Sequence, residues 1–200
     1  LAVALLMTSM VVPLPAQSQD DPLRTHGLSV IPTPRDVRIH GPQPCRISLP
    51  LSVAGTSPLA DGVRTVLTER LGGEAAPGKE VLNVTAPRDP DDDVWNHRQS
   101  YLLTVAPAGI TIEAKTPRAA YYAAQTLAQL IEGRRTLPAL TIRDWPAIPK
   151  RLVMIATDQG GFQIIDIDYW KRFIRELSAL KMNAIMPYFD AGTFKYRKHP

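Results

Sequence analysis

The chain has 200 residues, which is enough for one domain or two small ones, and its composition is that of a globular protein with 44% hydrophobic and 21% charged residues. These fractions exclude collagen-like and coiled-coil chains and argue against overall disorder. The formal net charge of +4 arises entirely within residues 150–200, which carry 9 basic and 5 acidic side chains. No run of five basic residues and no interleaved aromatic platform is present, so nucleic-acid binding is disfavoured.

The first residues indicate an export signal. Leu1 to Val12 is an uncharged apolar run, too short to span about 30 Å of hydrocarbon as a helix. Ala16-Gln17-Ser18 then offers a small-x-small cleavage site. We therefore expect residues 1–18 to be a signal peptide clipped at its N-terminus, since Leu1 stands where Met is expected, and the mature protein to be secreted or periplasmic and not membrane-bound. A buried first helix is the alternative interpretation.

The segments that follow predict short elements joined by turns. Residues 19–30 are polar and are interpreted as a linker. Val37 to His40 and residues 47–53 have strand character. Asp61 to Leu71 carries an apolar stripe at helical spacing and is followed by a glycine pair, which predicts an amphipathic helix. Val81 to Thr85 is a predicted strand.

The clearest pattern runs from Tyr101 to Ile131. Two alternating segments, 101–105 and 110–114, flank a Pro-Ala-Gly turn and predict a β-hairpin. Thr116-Pro117 then begins a helix, with Thr116 as the N-cap and proline at the first helical position. Together with a short strand at 140–142, residues 31–145 predict an α+β domain in which one sheet is covered by two helices.

After a rigid Trp-Pro-Ala-Ile-Pro segment the pattern changes. Arg151 to Ala156 is a continuous apolar run, as expected of a strand buried on both faces of a parallel sheet. Asp166 to Met182 predicts an amphipathic helix with inward aromatic and aliphatic residues, and Asn183 to Phe189 predicts a second buried strand. Strand, helix and strand make a β-α-β unit.

Polar residues that follow these two strands are the candidate binding groups. In parallel α/β barrels, chemistry lies at the carboxyl ends of the strands. The residues at those positions that we select as substrate-binding candidates are Asp158, Gln159, Tyr188 and Asp190. Two carboxylates facing one cleft are typical of a glycosidase or a phosphate enzyme. The alternative interpretation is that each carboxylate caps a loop.

No cofactor or metal site is indicated. The four histidines are scattered, the single cysteine Cys45 permits neither an internal disulfide nor a zinc-type spacing, and no nucleotide-binding or nucleophile motif is present.

Three stretches resemble family 20 glycoside hydrolases, the β-N-acetylhexosaminidases. They are YLLTVAPAGITIEAKTPRAAYYAAQTLAQLI, LPALTIRDWPAIPKRL and YWKRFIRELSALKMNAIMPYF. The positions that match the family pattern are Tyr101, Leu103, Val105, Ile110, Ile112, Ala114, Gln125, Thr126, Leu127, Gln129, Leu130, Ile142, Asp144, Pro146, Arg151, Lys181, Met182 and Asn183. The resemblance covers residues 30–190.

The resemblance implies a zincin-like α+β N-terminal domain followed by the first β-α-β of a truncated (β/α)8 TIM barrel, spanning residues 146–200. It also implies substrate-assisted hydrolysis of β-linked N-acetylhexosaminides by an Asp–Glu pair at the fourth barrel strand. No residue here matches that pair, so none is assigned as catalytic. The chain departs from the family at Ala156 and Gln159, where an acidic residue and an arginine are usual.

We therefore expect the chain to be the N-terminal fragment of an exported, exo-acting glycoside hydrolase and to be inactive alone. Its expected partner is an amino-sugar glycoside, without any cofactor, and its oligomeric state is left open. The alternatives are a secreted non-catalytic carbohydrate-binding or interaction protein that keeps the fold, and a related glycosidase of the O-GlcNAc hydrolase or α-glucuronidase type.

Overall fold

A computed structural model describes residues 21–72, 81–87, 98–156 and 166–188. The described helices are α1 (Pro22–Thr25), α2 (Pro58–Leu71), α3 (Pro117–Ile131) and α4 (Ile167–Ala179). The described strands are β1 (Asp36–Arg46), β2 (Ser52–Val53), β3 (Val81–Thr85), β4 (Tyr101–Ala106), β5 (Gly109–Ala114), β6 (Thr136–Asp144), β7 (Leu152–Ala156) and β8 (Ala184–Tyr188). The predicted signal peptide and a run of acidic residues at positions 89–93 lie outside the described residues.

The first six strands form one mixed sheet in the order β1-β6-β4-β5-β3-β2. β4 pairs antiparallel with β5 and with β6, while β3 runs parallel to both β5 and β2. β1 pairs antiparallel with β6, with a register shift between Ile39 and Pro44. The central strand β4 alternates between buried and half-buried residues, so one face of the sheet points into the core.

The predicted hairpin and the helix after it are confirmed. Gly109 adopts a φ of 131° in the turn, a conformation that a residue with a Cβ rarely takes, and β4 and β5 pair without a register shift. Thr116 caps α3 by accepting a hydrogen bond from the Ala119 amide at 3.1 Å. Because both the cap and the turn are local signals, sequence alone places these elements correctly.

Helices α2 and α3 pack against each other and against the sheet, which confirms an α+β domain with two covering helices. Gly62 of α2 faces the start of α3: a Cβ added there would lie 3.4 Å from the Pro117 carbonyl oxygen, an ordinary van der Waals contact. α3 is buried around most of its circumference and is rich in alanine, so the sheet and α2 can both come close to its backbone.

Part of the segment predicted as a polar linker belongs to the core. Residues 22–25 form α1, and Leu23, Leu28 and Val30 are at most 3% exposed and join the main hydrophobic cluster. The linker interpretation is therefore wrong for these residues. This segment has only a few apolar side chains, separated by polar ones, so its sequence shows no periodic pattern that indicates burial. These side chains are buried because the sheet and the helices pack against them.

The predicted β-α-β pattern is present as β7, α4 and β8. β7 and β8 pair in parallel from Leu152 opposite Ala184 to Ala156 opposite Tyr188. Asp166 is the N-cap of α4, accepting from the Tyr169 amide at 2.7 Å. We call β7, α4 and β8 the strand–helix–strand unit.

The expectation that this unit is buried on both faces is wrong for the described residues. Of the large apolar residues in the unit, Ile155 is 5% exposed, but Met154 is 58% and Ile174 is 49% exposed. Two paired strands cover only each other's edges, so their faces stay open. Among the described residues no helix is both long and apolar enough to cross a membrane.

Candidate functional site at the domain junction

The structure brings together the ends of the strands that precede the predicted substrate-binding residues. Tyr188 is the last residue of β8 and lies opposite Ala156, the last residue of β7. Asp158, Gln159 and Asp190 lie outside the described residues. The two strands therefore end at the same edge, as the sequence predicts, whereas the placement of the four candidate side chains is not tested.

The best-defined polar arrangement lies at the opposite edge of the unit, where it meets the first domain. The Lys181 ammonium lies 2.9 Å from the Tyr101 hydroxyl and 2.9 Å from Asp144 Oδ2. Tyr101 donates to Asp144 at 3.0 Å, and its hydroxyl oxygen lies 2.6 Å from Thr126 Oγ1. We call these four residues the junction cluster.

Burial strengthens the attraction between the Lys181 ammonium and the Asp144 carboxylate, because little water is present to screen their charges. The side chains of Lys181 and Asp144 are 6% and 13% exposed, and Tyr101 is 1% exposed. Tyr101 has one proton and donates it to Asp144, so the Thr126 hydroxyl donates to Tyr101. Every polar group in the cluster thus has a partner, which a buried ion pair requires.

The surroundings shift two pKa values. Burial raises the pKa of Tyr101 well above its ordinary value of 10.0, and the negative charge of Asp144 adds to this rise. Burial lowers the pKa of Lys181, and Asp144 opposes that shift by favouring the ammonium. The hydroxyl therefore stays neutral where an exposed tyrosine ionises.

Arg151 connects the segment 145–149 and the beginnings of β7 and β8 to this cluster. Its guanidinium donates to the carbonyl oxygens of Lys181 and Ile148, each at 2.8 Å, and to Gln99 Oε1 at 3.0 Å. The same guanidinium lies 5.3 Å from the centre of the Tyr122 ring. All of its described acceptors are neutral, so Arg151 adds positive charge to the junction.

Asn183 connects the starts of the two strands. Its side-chain Oδ1 accepts from the backbone amide of Arg151 at 2.8 Å, and its backbone amide donates to the Arg151 carbonyl at 2.9 Å. Arg151 directly precedes β7 and Asn183 directly precedes β8, so these bonds set the register in which the strands pair. A slip of one residue would exchange the two faces of the strand.

A cavity of 420 Å³ opens beside the cluster, lined by Tyr101, Tyr122, Asp144, Trp145, Arg35 and other residues of the segment 145–149 and of the first domain. Arg35 donates to the Trp145 carbonyl at 2.9 Å and lies over its ring at 5.2 Å. The polar groups of the cavity are thus largely bonded to one another. The arrangement holds parts of the chain together and presents no activated nucleophile; in the described part of the chain no group of three His, Cys, Asp or Glu side chains could hold a metal ion.

The shifted pKa of Tyr101 predicts a specific alkaline destabilisation. Above pH 10 the unfolded chain loses the tyrosine proton before the folded chain does, so folding stability falls as the pH rises. The lowered pKa of Lys181 has the opposite sign, but its contribution ends near the ordinary lysine pKa of 10.5. Above pH 10.5 we expect the stability advantage of the wild type over Tyr101→Phe to shrink as the pH rises, by at most about 1.4 kcal/mol per pH unit.

Urea unfolding of the two proteins at several alkaline pH values measures this advantage. Ionisations outside the junction cluster are common to both proteins and cancel in the difference. A difference that does not change with pH would contradict the assignment of Tyr101 as a neutral member of the cluster.

Sequence reasoning found Tyr101, Asp144 and Lys181 only as family matches and missed that they meet. One signal was available: Tyr101 stands at an inward position of an alternating strand, and a buried tyrosine hydroxyl requires a polar partner. The identity of that partner depends on residues 43 and 80 positions away, which spacing alone does not reveal.

The described residues thus combine a six-stranded mixed sheet, covered by two helices, with a parallel strand–helix–strand unit. The family model of glycosyl hydrolase family 20, domain 2, matches residues 27–145, more than half of the chain. The chain belongs to this family, and its first domain is a β-N-acetylhexosaminidase-like glycoside hydrolase domain.

Solved structures agree with this assignment. The Streptomyces plicatus N-acetyl-β-hexosaminidase in complex with Thio-NAglucal is 25% identical with a TM-score of 0.63, over 80% of this chain and 34% of that one. The Streptomyces coelicolor family 20 β-N-acetylhexosaminidase is 23% identical with a TM-score of 0.62, over 79% of this chain and 34% of that one. The Flavobacterium johnsoniae chitobiase is 22% identical with a TM-score of 0.59, over 82% of this chain and 27% of that one.

The last two similarities, below 25% identity, concern the fold alone. The chain spans between 27% and 34% of the length of these three solved structures. No curated protein matches the chain.

Proposed function

We propose that the chain is the N-terminal part of an exported, exo-acting hydrolase of β-linked N-acetylhexosaminides that works by substrate-assisted catalysis. The observation that carries the proposal is the family match over residues 27–145. The Streptomyces plicatus β-hexosaminidase, which this chain resembles at 25% identity, is solved in complex with the product GlcNAc. The catalytic carboxylates would lie on a segment that follows residue 200.

The strand–helix–strand unit would be the beginning of a (β/α)8 barrel. Its parallel pairing and the exposed apolar residues of β7, α4 and β8 support this, because further strands and helices of a barrel would cover those surfaces. The first domain would then support the barrel from the side of the strand beginnings.

Asp158, Gln159, Tyr188 and Asp190 are proposed as sugar contacts at the opposite edge. A charged hydrogen bond to a sugar hydroxyl contributes about 1.5–3 kcal/mol, so Asp158→Asn or Asp190→Asn should lower kcat/KM by about tenfold or more in the full-length enzyme. Asp168→Asn, on the exposed side of α4, is the matched control and should leave kcat/KM unchanged.

The function is tested by release of nitrophenol from nitrophenyl N-acetyl-β-glucosaminide by the full-length protein. Substrate-assisted catalysis requires the acetamido oxygen as nucleophile, so we expect the N-trifluoroacetyl analogue to react more slowly and the plain β-glucoside to be inert. Equal rates with the glucoside and the acetamido substrate would overturn the mechanism, and inactivity on every amino-sugar glycoside would overturn the function.

A non-catalytic carbohydrate-binding protein is the second candidate, because Ala156 and Gln159 replace the residue types usual at these family positions. It predicts binding of N-acetylglucosamine oligomers without hydrolysis. The related glycosidases are tested in the same assay by including aryl α-glucuronide and a GlcNAc-modified peptide.

Export is proposed from the apolar run and cleavage site in residues 1–18. We expect the mature protein to begin at Gln19 and to be recovered outside the cytoplasm. N-terminal sequencing of protein produced in its own host measures this; a mature protein that retains Leu5 to Val12 would contradict it.

A further inference from the structure

The turn between α4 and β8 places a lysine where helices usually carry glycine. The Lys181 amide donates to the Ser178 carbonyl at 2.9 Å and the Met182 amide donates to the Leu177 carbonyl at 3.0 Å, the bonding pattern of a Schellman motif. Lys181 occupies its left-handed position with a φ of 58°, the one non-glycine residue with positive φ in the described part of the chain. A lysine is unfavourable for this backbone, so its side chain must supply the advantage.

That side chain leaves its own unit and enters the first domain. It reaches Tyr101 at the start of β4 and Asp144 at the end of β6, two residues that face each other in the sheet. Lys181 is 5% exposed, so the contact is enclosed by protein. One side chain thus connects the end of α4 to the terminal residue pair of β4 and β6 in the six-stranded sheet.

Other contacts of the unit with the first domain cluster at the same place. Ser178 Oγ lies 2.6 Å from the Tyr121 hydroxyl, and Gln129 donates to the Ala179 carbonyl at 3.3 Å. Elsewhere the unit presents open apolar surface. Within the described residues, the orientation of β7, α4 and β8 is therefore set at the C-terminal end of α4 and the beginnings of the strands.

We propose that Lys181 is a positioning residue that fixes the strand–helix–strand unit on the first domain and thereby places the strand ends that carry the sugar contacts. The link to sugar rests on the proposed function. Arg151 bonds to the Lys181 carbonyl and precedes β7, and Asn183 precedes β8, so a displacement of Lys181 is transmitted to both strands. The first domain would thus affect hydrolysis without touching the substrate.

The orientation is measured by the distance between two spin labels in the full-length protein. Labels are placed at Thr68→Cys in α2 and Arg175→Cys in α4, both exposed positions, in a background in which the buried Cys45 is replaced by alanine. We expect one narrow distance distribution in this background. Lys181→Met and Lys181→Gly should broaden or shift it.

Lys181→Gly separates the side chain from the backbone, because glycine favours the left-handed turn while it removes the ammonium. The matched control is Lys150→Met, which removes an exposed lysine two residues before β7 and should leave the distance unchanged. Circular dichroism verifies that each variant is folded. A narrow, unshifted distribution in folded Lys181→Gly would overturn the proposal.

Kinetics with the aryl N-acetylglucosaminide test the second half of the proposal. We expect KM to rise at least threefold in both Lys181 variants and to stay constant in Lys150→Met. A loss of stability alone would lower the active fraction and leave KM unchanged. An unchanged KM beside a broadened distance would overturn the link to sugar binding, and a protein inactive on every glycoside would refute the proposed function while the distance measurement still decides the positioning role.

Discussion

Replacing Leu103 with alanine is expected to destabilise the protein by about 2–5 kcal/mol, the range for removing a fully buried leucine side chain. Leu103 lies in the middle of β4, the strand that pairs on both sides, and it is 0% exposed. Its neighbours in the two flanking strands, Ile112 and Ile142, are also fully buried, so the layer around it cannot collapse easily to fill the cavity. Denaturant unfolding followed by circular dichroism measures the loss.

Leu102→Ala is the matched control for this prediction. Leu102 is the preceding residue on the same strand, but it points to the opposite face of the sheet and is only half-buried. We expect its loss of stability to be no more than half of that for Leu103→Ala. Equal losses would contradict the assignment of the core to one face of the sheet.

Replacing Asp144 with asparagine is expected to cost about 3–5 kcal/mol, because it leaves the Lys181 ammonium buried without its counter-charge. Asparagine keeps the size of the side chain, so packing changes little and the effect reports on charge. The same unfolding measurement gives the value. The double variant Asp144→Asn with Lys181→Met removes both charges and should be more stable than Asp144→Asn alone.

Asp36→Asn is the control for Asp144→Asn, because it removes a carboxylate from an exposed ion pair in the same sheet. Asp36 pairs with Arg38 on the surface, with exposed fractions of 36% and 71%, and such pairs contribute about 0–1 kcal/mol. If the loss of stability in the double variant equals the sum of the losses in Asp144→Asn and Lys181→Met alone, the cluster does not act as a buried ion pair.

Local signals account for the parts of the fold that sequence predicted well. The hairpin and α3 are specified by alternation, a turn glycine and a Thr-Pro cap, all within neighbouring residues. α2 begins three residues before the predicted Asp61, because Ser57 caps it and Pro58 takes the first turn. These are errors of boundary, and the elements themselves are as expected.

Partners distant in the sequence account for what was missed. β1 runs from Asp36 to Arg46, well beyond the predicted 37–40, because pairing with β6 about 100 residues later supports a strand that contains Gly41 and Pro42. The burial of Leu23 and Leu28 and the meeting of Lys181 with Asp144 have the same origin. Such contacts leave no periodic pattern in the sequence.

The pairing of β1 with β6 also places the first strand of the sheet beside the strand that ends the first domain, since Asp36 lies opposite Arg143. A domain whose first and last strands are neighbours can be gained, lost or transplanted as a unit with little disturbance to what adjoins it. Its natural ends could be fused and new ones opened at the exposed turn of Pro107 and Ala108. Such a circular permutant would show whether the sheet assembles independently of chain order.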